Sequence, residues 1–550
     1  MENMFKKYLT CVLLLVAISG TKLFASGIQV LNTTVTTNAD KKSAQVKFSL
    51  TWDHSWRLSD GPQNWDAAWV FIKYRTLPGD NWYHAFIRND STRMPSNASH
   101  NIGNSVAVVG GVNTTVGVGA FIYRKDPGNG TIQFVDCEIQ WDFERNGLTG
   151  GEQVEVCVLA TEMVYIPQGA FSLGDQTSQN HFRRNAAYWA GIPYPIGSEA
   201  AVNMSNSPYS SNSSGYTSTR DAVHSTGIAT GGIADDWPTA NANGQVVALP
   251  AGYPKGFAAF YCMKYEITQG EYVQFLNKNL VTVKNGGYYA VDTVPPTPTG
   301  RYSIRRKPGT GTLDFPAEYE FVNPSAAYLP CNFLGTKDIM AWLIWAGLRP
   351  MSEFEYEKIC RGPAAIPGTV TLRPQYAFGS INLSPAAGFV NKGMANEAPS
   401  NLTGNAAVAT ADGTLTAAGG GLNTALDGPM RSGGFATPVS SREKAGATYY
   451  GVMEMSGNLW ERAVTTGNAA GRAFLGSVAA HGNGSTGPGL NPDLPIGGGW
   501  PPVNAAGLGF RGGSYLDTHL RARISDRQFI NINNPARHIS FGGRGVRTAL

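Results

Sequence analysis

Between residues 27 and about 160 the chain alternates between apolar and polar positions. Val46, Phe48, Leu50 and Trp52 are separated by polar residues, Val135, Cys137, Ile139 and Trp141 repeat the period, and Val154, Val156 and Val158 repeat it again. A period of two predicts strands with one buried face. Asp60-Gly61, Pro78-Gly79 and Pro127-Gly128 mark turns between the runs. The pattern predicts a β-sandwich over 26–160. Trp52, Trp56, Trp65 and Trp69 crowd into one part of it. They read first as core, with a binding face as the alternative.

From Met163 the period changes. Thr268-Gln-Gly-Glu271 and Ser352-Glu-Phe-Glu355 have capping-box spacing, in which the hydroxyl accepts from a free backbone N–H and the glutamate reaches back. Each precedes an apolar stripe, Tyr272, Phe275 and Leu276 in one case and Tyr356 and Ile359 in the other, with Gly362 ending the second helix. A third helix is expected over Thr336 to Ala346, carrying Met340, Trp342, Leu343 and Trp345. Two stretches, 176–255 and 400–434, are rich in small polar residues and have little periodicity. They read as polar insertions. The whole is expected to be α+β.

The first residues read as an address. Lys6-Lys7, an apolar run from Cys11 to Ile18 and a small residue at Ala25 form a signal-peptide pattern over 1–25. No later run is long enough for a transmembrane helix. Cys11 opens the apolar run instead of following it, so no lipid anchor is expected. The expected location is secreted, periplasmic or on the cell surface.

Composition narrows the class. Charged residues are 15% of the 550, and the net charge is +4 from 43 basic and 39 acidic residues, which excludes a nucleic-acid footprint. After removal of Cys11, five cysteines remain: Cys137, Cys157, Cys262, Cys331 and Cys360. None has zinc-knuckle spacing. Cys137 and Cys157 fall in neighbouring expected strands and offer one pairing, with inert buried thiols as the default.

Several blocks together resemble the formylglycine-generating enzyme (sulfatase-modifying factor) family. They are Met163 to Gly174, Phe260 to Phe275 with Tyr265-Glu266-Ile267-Thr268 inside it, Leu348 to Gly362, Met455-Ser-Gly-Asn-Leu-Trp-Glu461, Phe510-Arg-Gly-Gly-Ser514 and Gly545-Val-Arg547. The resemblance spans 161–550 and implies a C-type-lectin-like fold: a small twisted antiparallel core, two helices and many irregular loops.

Catalytic members of that family hold copper with two cysteines five residues apart, and thiolates suit Cu(I) as soft ligands. Those positions fall on Asp517 and Ala522, and no cysteine follows Cys360. The residues therefore point away from an enzyme of the familiar mechanism, and copper is not expected. A related branch uses iron on histidines of a helical domain. The eight histidines here have no paired spacing and the N-terminal pattern is strand, so iron is not expected either. The family's calcium site maps onto Glu454, Gly457, Leu459 and Glu461, whose carboxylate and carbonyl oxygens suit Ca²⁺. The alternative is a loop that packs Trp460 and needs no ion. A second family calcium site maps loosely onto Asn391 and an acid near Asp427.

The loops that replace the copper site carry Tyr515, Asp517, Thr518, His519, Arg521, Asn531, Asn533 and His538. Aromatics, amides and arginines on loops are the makings of a recognition face. Arg511, Arg523 and Arg547 are instead expected to staple loops by bonding backbone carbonyls. The reading that follows is an exported, non-catalytic binding or envelope-assembly protein that recognises a protein or glycan. One alternative is a variable receptor of a diversity-generating retroelement, since each residue of Tyr515-Leu-Asp-Thr-His-Leu520 is reachable from an Asn codon by changing adenines. The other is a metal-dependent oxidoreductase of unrecognised mechanism, with Asp517 and His519 as an acid/base pair.

Overall fold

A computed structural model describes residues 27–175, 182–184, 193–206, 223–225, 247–281, 299–311, 316–363, 375–401, 403–409, 426–477, 481–484 and 504–549. The expected signal peptide and much of both polar insertions lie outside the described residues.

The N-terminal region is strand throughout. Its elements are β1 (Gln29–Thr37), β2 (Ala44–Arg57), β3 (Asp66–Thr76), β4 (Tyr83–His84), β5 (Ile87–Arg93), β6 (Ala98–Val109), β7 (Val112–Arg124), β8 (Gly128–Trp141) and β9 (Val154–Ile166). The remainder mixes short strands and helices: β10 (Phe260–Met263), α1 (Gln269–Asn277), α2 (Thr336–Ala346), β11 (Met351–Ser352), α3 (Glu353–Arg361), β12 (Glu461–Val464), β13 (Leu508–Arg511) and β14 (Val546–Thr548). The three helices fall where the pattern places them. Thr268 and Glu271 close a capping box on α1, and Ser352 and Glu355 close one on α3.

One antiparallel sheet runs through both regions in the order β1-β2-β8-β5-β7-β3-β9-β10-β14, with β4 on β3 and β6 on β7. It curls until β1 meets β9. Val46, Phe48, Leu50 and Trp52 of β2 face inward onto Val70, Ile72, Phe134, Ile139 and Trp141.

One expectation is corrected here, and one pairing offered as an alternative does not form. Val135 does not share the inward face of Cys137 and Ile139; it is 49% exposed. The ladder between β2 and β8 slips between Phe48 and Leu50, and Asp136 takes φ of 62°. That bulge turns Phe134 inward in place of Val135. Cys137 and Cys157 are not bonded to each other, and both are free thiols. Cys137 belongs to the core inside the curled sheet, whereas Cys157 packs against the core on the other side.

Strand β3 explains how the two regions are joined. Ala68, Val70, Ile72 and Tyr74 enter the core of the N-terminal sheet, while Ala67, Trp69 and Phe71 enter a second core with Tyr261, Trp342 and Trp345. A strand buried on both faces reads as a continuous apolar run. The Trp69 indole N–H donates to the Ala346 carbonyl at 2.7 Å, at the end of α2. Gly103 and Gly119 lie directly against that indole, where a Cβ would come within 2.5 Å of its ring carbons. Lys73 donates to the Trp345 carbonyl at 2.8 Å. β9 runs past residue 160 and pairs with β3 along one edge and with β10 along the other.

Candidate functional site

The Gly-Gly-Ser block lies at the end of β13. Gly512 and Gly513 hold φ of 90° and 71°, a left-handed pair that turns the chain sharply. The Met455–Trp460 loop packs beside it, with Gly457 N–H donating to Gly512 O at 2.7 Å and Tyr515 N–H to Asn458 O at 2.9 Å.

Glu266 holds this loop from below, and the sequence reading gave it no role. Its two carboxylate oxygens accept from Asn458 Nδ2 at 2.6 Å and Leu459 N–H at 2.9 Å. The signal was a glutamate between Tyr265 and Ile267 in a family block. Beside it stand Glu454 and Glu461, both buried. Glu461 is gripped by Arg544, whose Nε and Nη2 donate to it at 2.9 and 2.6 Å. Arg544 also donates to the carbonyls of Met263, Lys264 and Met453. Glu454 accepts from Gly433 N–H at 2.8 Å through Oε1, while Oε2 is buried without a hydrogen bond. Burial pushes its carboxyl up to about 7. Three buried carboxyls thus share the Arg544 guanidinium, and Arg431 and Lys264 also act on Glu454. That donor chemistry fits a hard cation at Glu454 and the neighbouring carbonyls, with Glu461 already shared with Arg544. At the second candidate position, Asp427 pairs with Lys392 at 2.6 Å on the surface.

The resemblance places the family's copper thiols at Asp517 and Ala522. Ala522 is fully buried among Tyr376, Phe378, Ala406 and Val408. Asp517 is buried and bonded to the Ser514 hydroxyl, and burial pushes its carboxyl up to about 7. A carboxyl and a methyl cannot supply two soft ligands.

The eight loop residues do not gather into one open face. Tyr515, Asp517, Thr518 and Asn531 are buried. His519 is exposed, while Arg521, Asn533 and His538 are half-buried. Arg521 pairs with Asp526 at 3.1 Å, Asn531 donates to Gly467 O at 3.2 Å, and His538 contacts the Ser540 hydroxyl at 2.7 Å. Asp517 and His519 point into different environments, core and solvent, so the structure does not assemble them as a pair.

The arginines behave largely as staples. Arg511 donates to Ile524 O at 3.0 Å and to Glu357 at 2.7 Å, and Arg547 bonds the carbonyls of Gly347 and Asn104. Arg523 reaches the Tyr376 side chain. Arg462, Arg527 and Arg544 were not singled out in the sequence, yet each is fully buried on carbonyls or carboxylates.

Residues 252–549, more than half of the chain, match the model of a family described as the sulfatase-modifying factor enzyme 1-like domain. No curated protein matches the chain.

Proposed function

The chain belongs to the sulfatase-modifying factor enzyme 1-like family, and from that premise we propose that it is an exported, non-catalytic member that recognises a protein or glycan ligand. The observation that carries the reading is the replacement of both copper thiols, by Asp517 and Ala522, in positions that are now packed into the core. A C-type-lectin-like scaffold for 161–550 accords with the short strands, three longer helices and long irregular connections.

Recognition falls to the members of the C-terminal loops that reach solvent: His519, Arg521, Asn533 and His538. Tyr515, Asp517, Thr518 and Asn531 support them from beneath. A calcium ion would be held by Glu454, the carbonyls of Gly457 and Leu459, and Glu461, and would stiffen the Met455–Trp460 loop, to which Tyr515 is bonded through Asn458 O. Export rests on the signal-peptide pattern over 1–25. No helix among the described residues is long and apolar enough to cross a membrane. The retroelement reading asks for variable residues at the surface, and from Tyr515 to Leu520 only His519 is exposed.

The deciding experiment is reconstitution with Cu(I) and a cysteine-containing sulfatase peptide. The expected result is no oxygen uptake and no conversion of the cysteine; turnover would overturn the non-catalytic reading.

A further inference from the structure

The N-terminal sheet is not closed everywhere. β5 lies between β8 and β7, but it pairs with β7 only through Ile87 and Gly117. Beyond that pair the strands part and leave a groove of about 770 Å³, bordered by Arg88, Asn89, Asn101, Asn104, Thr115 and Arg145. A volume of that order takes a molecule of several rings.

The chemistry of the groove selects what it can hold. Its two arginines are both spent on the buried Asp142, Arg88 at 2.6 Å and Arg145 at 3.3 Å. Asp90 adds one more negative charge to the lining, and burial holds the His100 imidazole below its usual range. Positive and negative charges therefore balance, which favours neither an anionic nor a cationic ligand. The groups left to read a ligand are side-chain amides. Asn101 donates to the Tyr123 hydroxyl at 3.1 Å, which fixes the orientation of its amide.

The parted strand edges argue against an inserted peptide. Strand addition needs free backbone carbonyls along the lips of the groove. Here the Arg88 carbonyl is taken by the Thr92 hydroxyl at 2.8 Å, and the Thr115 carbonyl accepts from Arg145 at 3.5 Å. Recognition is left to side chains.

A second hollow, of about 110 Å³, shares Asn101 and Ile102 with the groove and is walled by Trp65, Phe121, Tyr123, Tyr165 and Tyr261. Within it the Tyr261 hydroxyl lies against the Trp65 indole and the Asn101 amide. Side-chain amides, balanced charge and aromatic walls together match a ligand dense in hydroxyls and free of charge.

We propose that the groove between β5 and β7, with the aromatic hollow beside it, is a binding site for an uncharged oligosaccharide. It is separate from the C-terminal loops and does not depend on the reading given to them.

The test titrates the full mature chain calorimetrically with malto-, cello-, laminari-, xylo-, manno- and chito-hexaose, and with a heparin hexasaccharide. One neutral hexaose is expected to bind with a Kd below about 1 mM. Asn101→Ala should weaken it about tenfold, and the exposed Asn89→Ala should weaken it by a smaller factor, with circular dichroism unchanged in both. His519→Ala in the C-terminal loops should leave it unaltered. Failure of every neutral hexaose to bind at that level overturns the proposal, as does binding of the heparin fragment alone. Loss of binding in His519→Ala with full retention in Asn101→Ala and Asn89→Ala also overturns it, by moving the sugar to the C-terminal loops.

Discussion

The N-terminal sheet and the family domain are held together by different means. In the sheet, strands of up to 14 residues satisfy their own backbone groups, and the interior is Val, Ile, Leu, Phe and Trp. In the family domain, most backbone lies in short elements and loops. There the interior holds fully buried Arg349, Arg462, Arg511, Arg527, Arg544 and Arg547. Irregular chain leaves carbonyls without ladder partners, and buried polar groups must be met by something. A guanidinium, with five donors in a planar fork, meets several at once. Regular structure carries its own hydrogen bonds; irregular structure borrows them from side chains.

The largest test of this comparison is to cut the regions apart. A chain beginning at residue 167 lacks β9 and should yield no folded family domain, because β10 then loses a ladder partner and the second core loses Trp69 and Phe71. Calorimetry of the intact chain should correspondingly show one cooperative transition. Two well-separated transitions would break the picture of a shared core.

Next in size, Arg544→Leu should cost about 3–5 kcal/mol, since it leaves Glu461 buried and uncompensated along with three carbonyls. The double change Arg544→Leu/Glu461→Leu should recover part of that loss in urea unfolding. In the sheet, Leu50→Ala should cost about 3 kcal/mol by leaving a cavity. No second substitution that removes a neighbour should rescue it. Rescue in one region and not in the other is the sharpest form of the contrast.

A smaller effect appears where the regions meet. Lys264 bonds Glu162 at 2.6 Å, and Asp66 lies against the same carboxyl. Burial holds the Glu162 carboxyl up at about 8, against the pull of Lys264. The folded chain therefore keeps a proton that the unfolded chain releases near the ordinary carboxylate range. Stability contributed by that proton is full at low pH and is lost as pH rises towards 8, at up to about 1.4 kcal/mol per unit. Thermal melts between pH 6 and 9 should show this fall, and Glu162→Gln should make it shallower, leaving the part below about pH 7 that Glu454 and Asp517 contribute. Least of all, Lys42→Ala removes an exposed pair with Glu144 and should leave the melting temperature unchanged.

Legibility followed the same divide. Strands and capped helices announce themselves through local spacing, so β2, β9, α1 and α3 were readable from a few residues each. The bulge that exchanges Phe134 for Val135 was not, because a slip of register depends on the partner strand. The family blocks located the loop at Met455–Trp460. They did not reveal that Tyr515, Asp517 and Thr518 turn inward, since polar composition in a loop is the same whether its side chains meet water or carbonyls. Glu266 and Arg544 were hidden for a related reason: their partners lie 83 to 281 residues away.

Strand β9 also sets an order of events as the chain is made. It can zip onto β3 along Val154–Val164 as soon as the N-terminal sheet has been synthesised, and the other edge of its last residues, Met163–Ile166, then stands as an open template for β10. β14, the strand that completes the sheet, is translated only after the remaining loops. Until then the edge of β10 is unguarded, a place where another nascent chain could dock. A premature stop only a few codons before Val546 would therefore leave the central sheet unclosed.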